Sequence, residues 1–249
     1  MILYLDVVWP MKILLACLIT VLYGLPIHAQ FNDSTYYHLG LSATGSLNKT
    51  NTGDAYLLNN GLNFGVKKRD AVLNFNSTWL YGKQNSQLSN NDFSSTLNFN
   101  LYKTFPHFYY WGLLNYATSF SLKINHQTQA GLGVAYNLID KENFNINISD
   151  GVLYDTSNLL ADDRYDTFRN SFRLQYRILI KDLILFEGNN FLQNSFANGD
   201  DYIIRSTNKL GIKLRKWISL TSSLNYNRMN ITRSENLNLT YGITIDQYF

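Results

Sequence analysis

The sequence predicts an all-β protein built as a single antiparallel transmembrane β-barrel of about twelve strands. Apolar and polar side chains alternate along most of the chain after Gln30, which places them on opposite faces of β-strands. Most alternating segments have at least the roughly 9–11 residues that a tilted strand needs to cross a bilayer. Short and longer connections also follow one another in turn, as in barrels with short periplasmic turns and longer external loops.

The composition supports strands and argues against transmembrane helices. Hydrophobic residues make up 45% of the 249 residues, whereas each membrane-spanning helix requires roughly 20 consecutive apolar residues. The chain has 18 Tyr and 15 Phe but only 3 Pro, a bias that favours strands joined by polar turns. The net charge of +3, without a basic run, gives no reason to expect a nucleic-acid partner.

Residues 1–29 are predicted to be a secretory signal peptide, and residues 30–249 the barrel domain. Met11 and Lys12 precede an apolar run over residues 13–27, and Ala29 supplies a small residue at the cleavage site. Residues 1–10 suit a signal start poorly, so we expect Met11 to be the true initiator. Cleavage would also remove Cys17, the only cysteine, and leave a mature chain without disulfides.

Two other interpretations of this N-terminal segment remain. It could stay uncleaved as a membrane anchor, although Gly24 and Pro26 interrupt it. Residues 14–17 also resemble a lipoprotein cleavage box, but lipidation of Cys17 would leave an apolar stretch on the mature chain. The signal peptide and the barrel together predict export through the periplasm to the outer membrane of a Gram-negative bacterium, where outer-membrane lipid surrounds the strands.

The alternation places the twelve strands along the whole mature chain. They cover residues 36–47, 55–66, 71–83, 92–102, 108–122, 127–138, 144–155, 167–180, 183–196, 202–213, 217–229 and 235–249. In the eighth strand, Phe172, Leu174 and Tyr176 share one face, while Arg173 and Gln175 share the other. A soluble β-sandwich would alternate too, but the apolar face recurs on nearly every segment, which favours a barrel.

The last strand ends in phase at Phe249, an aromatic residue on the apolar face. We expect Phe249 to act as the assembly signal through which the C-terminal strand engages the barrel-assembly machinery. Gln247 stands where outer-membrane barrels usually carry another aromatic residue, so the signal departs from the common pattern at this position.

The connections predict how the barrel is oriented. They are tight at residues 67–70, 140–143, 181–182 and 214–216, and longer at residues 49–54, 84–91 and 156–166. An even number of strands places both termini at one end, which we expect to face the periplasm. Aromatic residues near the strand ends are expected to form an interfacial girdle; they are Tyr36, Tyr37, Tyr81, Tyr109, Tyr110, Trp111, Tyr202 and Trp217.

Basic residues recur on the polar faces of two strands that a third strand separates. They are Arg169, Arg173, Arg177, Arg205, Lys209 and Lys213. If these faces line the lumen, one wall is basic and could attract small anionic solutes, as rings of Arg and Lys do in anion pores. The alternative interpretation is that the charges fill the interior and pair with acids such as Glu187 and Asp155. We favour the filled lumen.

Two further constellations carry little chemistry. Carboxylates cluster at Asp162, Asp163 and Asp166, but their spacing matches no calcium loop, and a solvated loop is the better interpretation. A hydrolase would need a nucleophile, a base and an orienting group in one place. The mature chain offers His38, His107 and His126, with Ser119 and Ser121 near the last of them. No spacing singles out a catalytic residue, so we expect no enzyme, no metal site and no cofactor.

Asp150 breaks the alternation, because its phase places a carboxylate on the lipid side of the seventh strand. A charge at the bilayer midplane is costly. Gly151 follows it directly, and glycine is common at β-bulges. We therefore expect a bulge that turns Asp150 towards the lumen.

Several segments resemble a known family, the YdiY-like salt-induced outer-membrane proteins grouped as domain of unknown function 481. They are Gly131–Ile139, Ile148–Asp155, Arg169–Tyr176 and the first hairpin around Gly40–Asn48 and Thr50–Gly53. The resemblance covers residues 31–249. It implies an outer-membrane barrel with a link to salt or envelope stress, and it supplies no catalytic residues.

Three hypotheses for function follow from these patterns. The first is a non-enzymatic outer-membrane barrel with a structural role in the envelope or a role in the salt or stress response. The second is a narrow diffusion channel whose basic wall serves anionic solutes. The third is a lipid hydrolase or acyltransferase of the outer membrane, which the scattered histidines support least.

Overall fold

A computed structural model describes residues 36–105, 107–160 and 164–249, apart from the side chains of residues 103 and 104. The predicted signal peptide, residues 1–29, lies outside the described residues. The described chain forms twelve strands: β1 (Tyr37–Lys49), β2 (Asp54–Lys68), β3 (Ala71–Gln84), β4 (Gln87–Phe105), β5 (Phe108–Ser119), β6 (Ile124–Lys141), β7 (Phe144–Leu159), β8 (Arg164–Ile180), β9 (Ile184–Ser195), β10 (Tyr202–Arg215), β11 (Ile218–Met229) and β12 (Ser234–Tyr248). Within these ranges no helix is long and apolar enough to cross a membrane.

The strands close into one antiparallel barrel in which each strand pairs with its neighbours in sequence and β1 pairs with β12. This confirms the predicted fold class and the number of strands. The Tyr37 amide donates to the Phe249 carbonyl over 2.7 Å, and the Phe249 amide donates back over 2.9 Å. Both ends of the barrel domain therefore lie at the same end of the barrel, which we call the terminus end.

The seam between β1 and β12 is shorter than its neighbours. Residues 38–45 of β1 pair with residues 241–248 of β12, whereas β1 stays paired with β2 along its whole length, as far as the pair of Lys49 and Asp54. The last four residues of β1 therefore leave β12 and follow β2 alone. A hydrogen bond of 2.9 Å between the Thr44 and Thr240 hydroxyls lies next to the point where the two strands separate.

The connections are shorter than predicted at the end opposite the termini, which we call the mouth. Two-residue to three-residue connections join the strands at the terminus end, and the described connections at the mouth have two to six residues. The predicted long loop over residues 84–91 is wrong, because only Asn85 and Ser86 separate β3 from β4. Both have positive φ angles, as a tight hairpin turn requires. The predicted loop over residues 156–166 is likewise mostly strand.

The outer face of the barrel is apolar and exposed, as transmembrane strands require. Leu132 is 72% exposed and Leu114 is 56% exposed on this face. Of the predicted girdle, Tyr110 points outward and is exposed, but Tyr109 and Trp111 point into the lumen, where they are 5% and 7% exposed. The prediction that Tyr109 and Trp111 belong to the girdle is therefore wrong. In a run of consecutive aromatic residues, the sequence does not tell which ones face the lumen.

Asp150 lies on the outer face, and the predicted β-bulge at this position is wrong. The register between β7 and β8 has the same offset on both sides of Asp150, and β6 pairs directly with Asp150 and Gly151. The exposed carboxylate accepts a hydrogen bond of 2.7 Å from the Asn170 amide. Gly151 is needed for another reason, since a Cβ there would overlap the ring of Trp111 inside the barrel.

Candidate functional site

The lumen has two walls that differ in how much water they can contact. The first, which we call the accessible wall, consists of ten inward residues of β2–β4 that are partly or fully exposed. They are Asn59, Gly61, Asn63, Asn74, Asn76, Thr78, Ser94, Thr96, Asn98 and Asn100. Because these side chains point into the barrel, their exposure indicates that space for water remains beside them.

The second wall, which we call the packed wall, consists of inward side chains of β6–β9 in the half of the barrel nearer the mouth. All are at most 8% exposed. They are Gln127, Gln129, Ser149, Leu153, Asp155, Ser157, Arg169, Ser171, Arg173, Gln193 and Ser195. Towards the terminus end β8 and β9 become partly exposed again, at Gln175, Arg177 and Glu187, whereas Ala135 of β6 and Asn147 of β7 stay buried.

Arg169 is the centre of the packed wall. Its Nε donates to Asp155 over 2.7 Å, and its two terminal nitrogens donate to the carboxylate of Asp201 over 3.0 and 2.8 Å. One of these nitrogens also donates to the Tyr165 hydroxyl. Arg169 and Asp155 are fully buried. A buried charge of this kind is tolerated only when it is paired and hydrogen-bonded.

Glutamine side chains extend this network across the barrel. Gln127 and Gln129 both donate to Asp155, and Gln129 also donates to the Gln193 side chain on β9 over 3.1 Å. Arg205 on β10 donates to the Gln127 side chain over 2.6 Å. Contacts that join β6 to β9 and β10 pass through the interior, so long polar side chains fill this part of the lumen.

Arg173 is buried in a different environment. Its Nε donates to the Ser149 hydroxyl over 3.0 Å, and its guanidinium lies 5.7 Å from the ring centroids of both Trp111 and Phe191. These distances are typical of cation–π contacts. A cavity of about 10 Å³ beside these side chains is large enough for one water molecule. The cation is therefore held by aromatic faces together with the Ser149 hydroxyl.

The six predicted basic residues all point inward, but they fall into two groups. Arg169, Arg173 and Arg205 are held by the contacts above. At the terminus end, Arg177 forms a partly exposed ion pair of 3.2 Å with Glu187, and Lys209 and Lys213 are exposed or partly exposed. Asp155 and Glu187, which the sequence indicated as acidic partners, both form ion pairs with these arginines. Anion selectivity of this surface stays a prediction.

The mouth is narrowed by the turn between β5 and β6, residues 120–123, which we call the mouth turn. Ser121 accepts a hydrogen bond of 2.6 Å from the Asn236 amide on β12 and donates to Asp92 on β4 over 2.7 Å. Leu122 belongs to a buried apolar cluster with side chains of β6, β7, β10 and β11: Ile124, Leu159, Ile203 and Met229. The turn therefore reaches across the barrel opening.

The histidines and serines of the hydrolase hypothesis do not form a catalytic group. Ser119 and Ser121 both donate to Asp92, a partner that the sequence did not indicate because it lies on another strand. Among the described residues, no hydrogen bond joins His126 to either serine. His38 lies at the terminus end, 3.2 Å from the Asp246 carboxylate. Absence of enzymatic activity stays a prediction.

The structure does not test the acidic cluster as a whole, since Asp162 and Asp163 lie outside the described residues. Asp166 is exposed on the outer side of β8, whereas Asp155 is buried in the lumen. In the part of the chain that the structure describes, no three His, Cys, Asp or Glu side chains come together to hold a metal ion. Phe249 stacks on Tyr37 with ring centroids 5.7 Å apart, and its role in assembly stays a prediction.

Comparisons with known proteins agree with the barrel. A family model described as "Protein of unknown function, DUF481" matches residues 41–245. The NanC porin superposes with a TM-score of 0.52 at 10% identity, over 85% of this chain and 99% of the porin. The COG4313 outer membrane channel from Pseudomonas putida F1 superposes with a TM-score of 0.51 at 9% identity, over 90% of this chain and 99% of the channel. At these identities the likeness extends to the fold alone. A search of curated proteins returns no match.

Proposed function

Taking the chain as a member of the DUF481 family of proteins of unknown function, to which it belongs, we propose that it is a narrow, non-enzymatic diffusion channel for small uncharged polar solutes. The proposed path follows the accessible wall and is narrowed at the mouth by the mouth turn. The observation that carries the proposal is that the ten inward residues of the accessible wall keep their exposure, while those of the packed wall are buried.

The packed wall makes passage beside β6–β9 unfavourable, which supports a path along the accessible wall. Arg169 is fully buried between Asp155 and Asp201, and Gln129 spans the interior to reach Gln193. A solute would have to break these contacts to pass beside β6–β9. Breaking them leaves buried charges without partners, which costs several kcal/mol. The accessible wall requires no such rearrangement.

The chemistry of the accessible wall favours uncharged solutes. Its ten side chains are amides, hydroxyls and one glycine, without an ionisable group. Amides offer both donors and acceptors, and they exert no net field on a passing ion. Charged walls are what select ions in pores. This wall therefore suits solutes that exchange hydrogen bonds with water for hydrogen bonds with amides.

The test is solute flux into proteoliposomes that contain the full chain. We expect faster uptake of a small neutral sugar than in empty liposomes, and a several-fold reduction in the Asn76→Trp variant, because the indole would occupy the accessible wall. The matched control is Phe75→Trp, which places the same indole on the outer face of the same strand. Uptake equal to that of empty liposomes, or equal loss in both variants, would contradict the proposal.

The basic residues at the terminus end favour the second candidate, a path for small anions. Arg177 is 27% exposed along its side chain, and Lys209 is exposed although it points inward. These cations lie where the packed wall ends, so they would act on solutes that enter or leave at this end. Selectivity for anions over cations in planar bilayers separates this candidate from the neutral path.

We also propose that the barrel lies in the outer membrane of a Gram-negative bacterium with its terminus end towards the periplasm, after export under a signal peptide. The short connections at that end and the apolar outer face support this arrangement. Contact with outer-membrane lipid and with the barrel-assembly machinery through β12 belongs to the same proposal. The link to salt or envelope stress rests on the family resemblance alone.

A further inference from the structure

The seam between β1 and β12 leaves part of the barrel wall open. Its paired stretch begins at the terminus end and stops after eight pairs, at Gly45 and Tyr241. A tilted strand needs roughly 9–11 residues to cross a bilayer, so the pairing ends within the membrane. Towards the mouth, residues 46–49 pair with β2 alone, and residues 234–240 pair with β11 alone. We call the gap between these two described stretches the lateral slot.

The outer side of the lateral slot is apolar. Leu47 on β1 is 80% exposed, and Leu237 on β12 is 65% exposed. Both have the phase of outward residues on their strands, Leu41 and Ile243, so they face the membrane. Apolar side chains on this face lie in the band that acyl chains surround. The lateral slot is therefore at the depth of the hydrocarbon.

The inner side of the lateral slot is polar and uncharged. The inward residues of the two stretches are Ser46, Asn48, Ser234, Asn236, Asn238 and Thr240. Asn236 shows that this phase faces the lumen, because its amide reaches the mouth turn. Ser46 follows Thr44, whose partner on β2 is Asn59 of the accessible wall. The lateral slot therefore connects hydrocarbon outside the barrel with amides and hydroxyls beside the accessible wall.

Contacts on both sides hold the two strands apart. The Asp54 amide donates to the Asn85 side chain over 3.1 Å, and the Asn85 amide donates to the Asp54 carbonyl over 2.8 Å. These bonds fix the connection between β1 and β2 to the turn between β3 and β4, on the side away from β12. On the other side, Asn236 of β12 donates to Ser121 of the mouth turn. Each strand is therefore held by a neighbour other than its partner in the seam.

The shape and chemistry of the lateral slot indicate what can occupy it. Open strand edges are unfavourable in hydrocarbon, because their backbone N–H and C=O groups find no partner there. A further strand does not fit at the closed end of the slot. The Thr44 and Thr240 hydroxyls lie 2.9 Å apart there, whereas neighbouring strands are about 4.8 Å apart. The slot therefore suits a slender occupant that brings polar groups to the strand edges.

We propose that the lateral slot is an entry site for single-chain amphiphiles with an uncharged, hydroxyl-rich head, which enter the lumen sideways from the membrane. The head exchanges hydrogen bonds with the open strand edges and with amides such as Asn48 and Asn238. The acyl chain stays outside, between Leu47 and Leu237. Because no inward residue of the two stretches is ionisable, a charged head would lose hydration without gaining a counter-charge. This route goes beyond the proposed diffusion path, which enters through the mouth.

The test is photolabelling of the full chain in proteoliposomes by a trace amount of an alkyl glucoside that carries a diazirine on its sugar. We expect label on residues 46–49 and 236–239, because a head that enters the lateral slot lies between these stretches. The control probe is diazirine glucose without an alkyl chain. It does not partition into the membrane, so it should label these residues several-fold less.

Variants locate the route. Ser46→Trp should reduce labelling of residues 236–239 several-fold, because the indole fills the slot near its closed end. The matched control is Ala43→Trp, which places the same indole on the outer face of β1, where the seam is still paired. Asn238→Trp repeats the test from the opposite strand, with label measured on residues 46–49. Asn76→Trp should reduce the uptake of neutral sugar without changing this labelling, so failure of the diffusion path and failure of the slot are distinguishable.

Three results would overturn the proposal. The first is absence of label on residues 46–49 and 236–239, as expected if the slot closes in lipid or holds a polypeptide strand. The second is equal labelling by diazirine glucose, which indicates entry through the mouth. The third is equal labelling of the parent, Ser46→Trp and Asn238→Trp proteins when all three show the heat-modifiable migration of folded barrels.

Discussion

The packed wall and the accessible wall are built on the same alternation of inward and outward residues, yet only one of them fills its side of the lumen. Inward residues of the packed wall are long or charged, such as Arg169 and Gln129, and they reach partners on other strands. Those of the accessible wall are short, such as Asn76 and Ser94, and leave space beside them. The length of the inward side chains thus decides which side of this barrel is filled and which side keeps space beside its residues.

The largest effect is expected from a substitution that removes a buried charge from the packed wall. Asp155→Ala leaves Arg169 and two glutamines without their shared acceptor, so we expect the free energy of unfolding to fall by about 3–5 kcal/mol. Guanidinium titration in lipid vesicles, followed by tryptophan fluorescence, measures it. The control is Asp246→Ala, whose carboxylate is 41% exposed beside His38 and should cost about 1 kcal/mol or less. Equal losses would show that burial does not set the cost of removing a paired carboxylate.

The second prediction concerns the glycines beneath Trp111. A Cβ at Gly133 would overlap the Asp150 carbonyl and the Trp111 ring, so Gly133→Ala should lower the free energy of unfolding by about 1–3 kcal/mol. At Gly61 on the accessible wall, a Cβ would meet only the Ser42 hydroxyl, which can rotate away. Gly61→Ala is expected to be nearly neutral in the same titration. A larger loss of unfolding free energy in Gly61→Ala than in Gly133→Ala would contradict this prediction.

The third prediction concerns a substitution that should widen the mouth. Asn236→Ala removes the hydrogen bond that holds Ser121 of the mouth turn against β12. We expect the flux of neutral sugars into proteoliposomes to rise a few-fold, with a loss of stability of about 1 kcal/mol. The control is Asn238→Ala, which removes the hydrogen bond from Asn238 to Asn236 but leaves the bond between Asn236 and Ser121 in place. If the mouth turn does not limit the passage of sugars, the flux will be unchanged in both variants.

The smallest effect is expected from the exposed lysines. Replacing Lys209 and Lys213 with Gln removes two cations that remain accessible to water, and their interaction with passing ions is screened by salt. The ratio of anion to cation permeability in planar bilayers should fall by about twofold or less at low salt, and the change should vanish at high salt. A large fall in that ratio would favour the basic path over the neutral one.

The strands followed from the sequence, but their ends outside the apolar band did not. Residues 87–91 are all polar apart from Leu88, so no apolar face marked them as strand, although all of them except Ser89 pair with β3. Water surrounds both faces at such a strand end, and alternation is no longer required there. The period of two assigned Asp150 correctly to the outer face, and the error was to expect a bulge that would remove it.

The packed wall could be predicted only in part. The phase of β8 placed Arg169 inward, and Asp155 was available as a partner on the adjacent strand. Asp201 was not predictable, because it comes from the connection before β10 and meets Arg169 only after that connection folds inward. Lumen filling depends on such contacts between distant segments, whereas strand alternation is a local property of each segment.

The short seam between β1 and β12 has a consequence for how the barrel forms. Every other pair of strands is a hairpin whose residues are close in sequence, so each can form locally soon after its neighbour. The seam alone joins residues about 200 positions apart, and its loop-closure entropy must be overcome before its few hydrogen bonds form. Closure is therefore expected to be the last and slowest step of folding. Until it occurs, the sheet has two free edges that can pair with another chain.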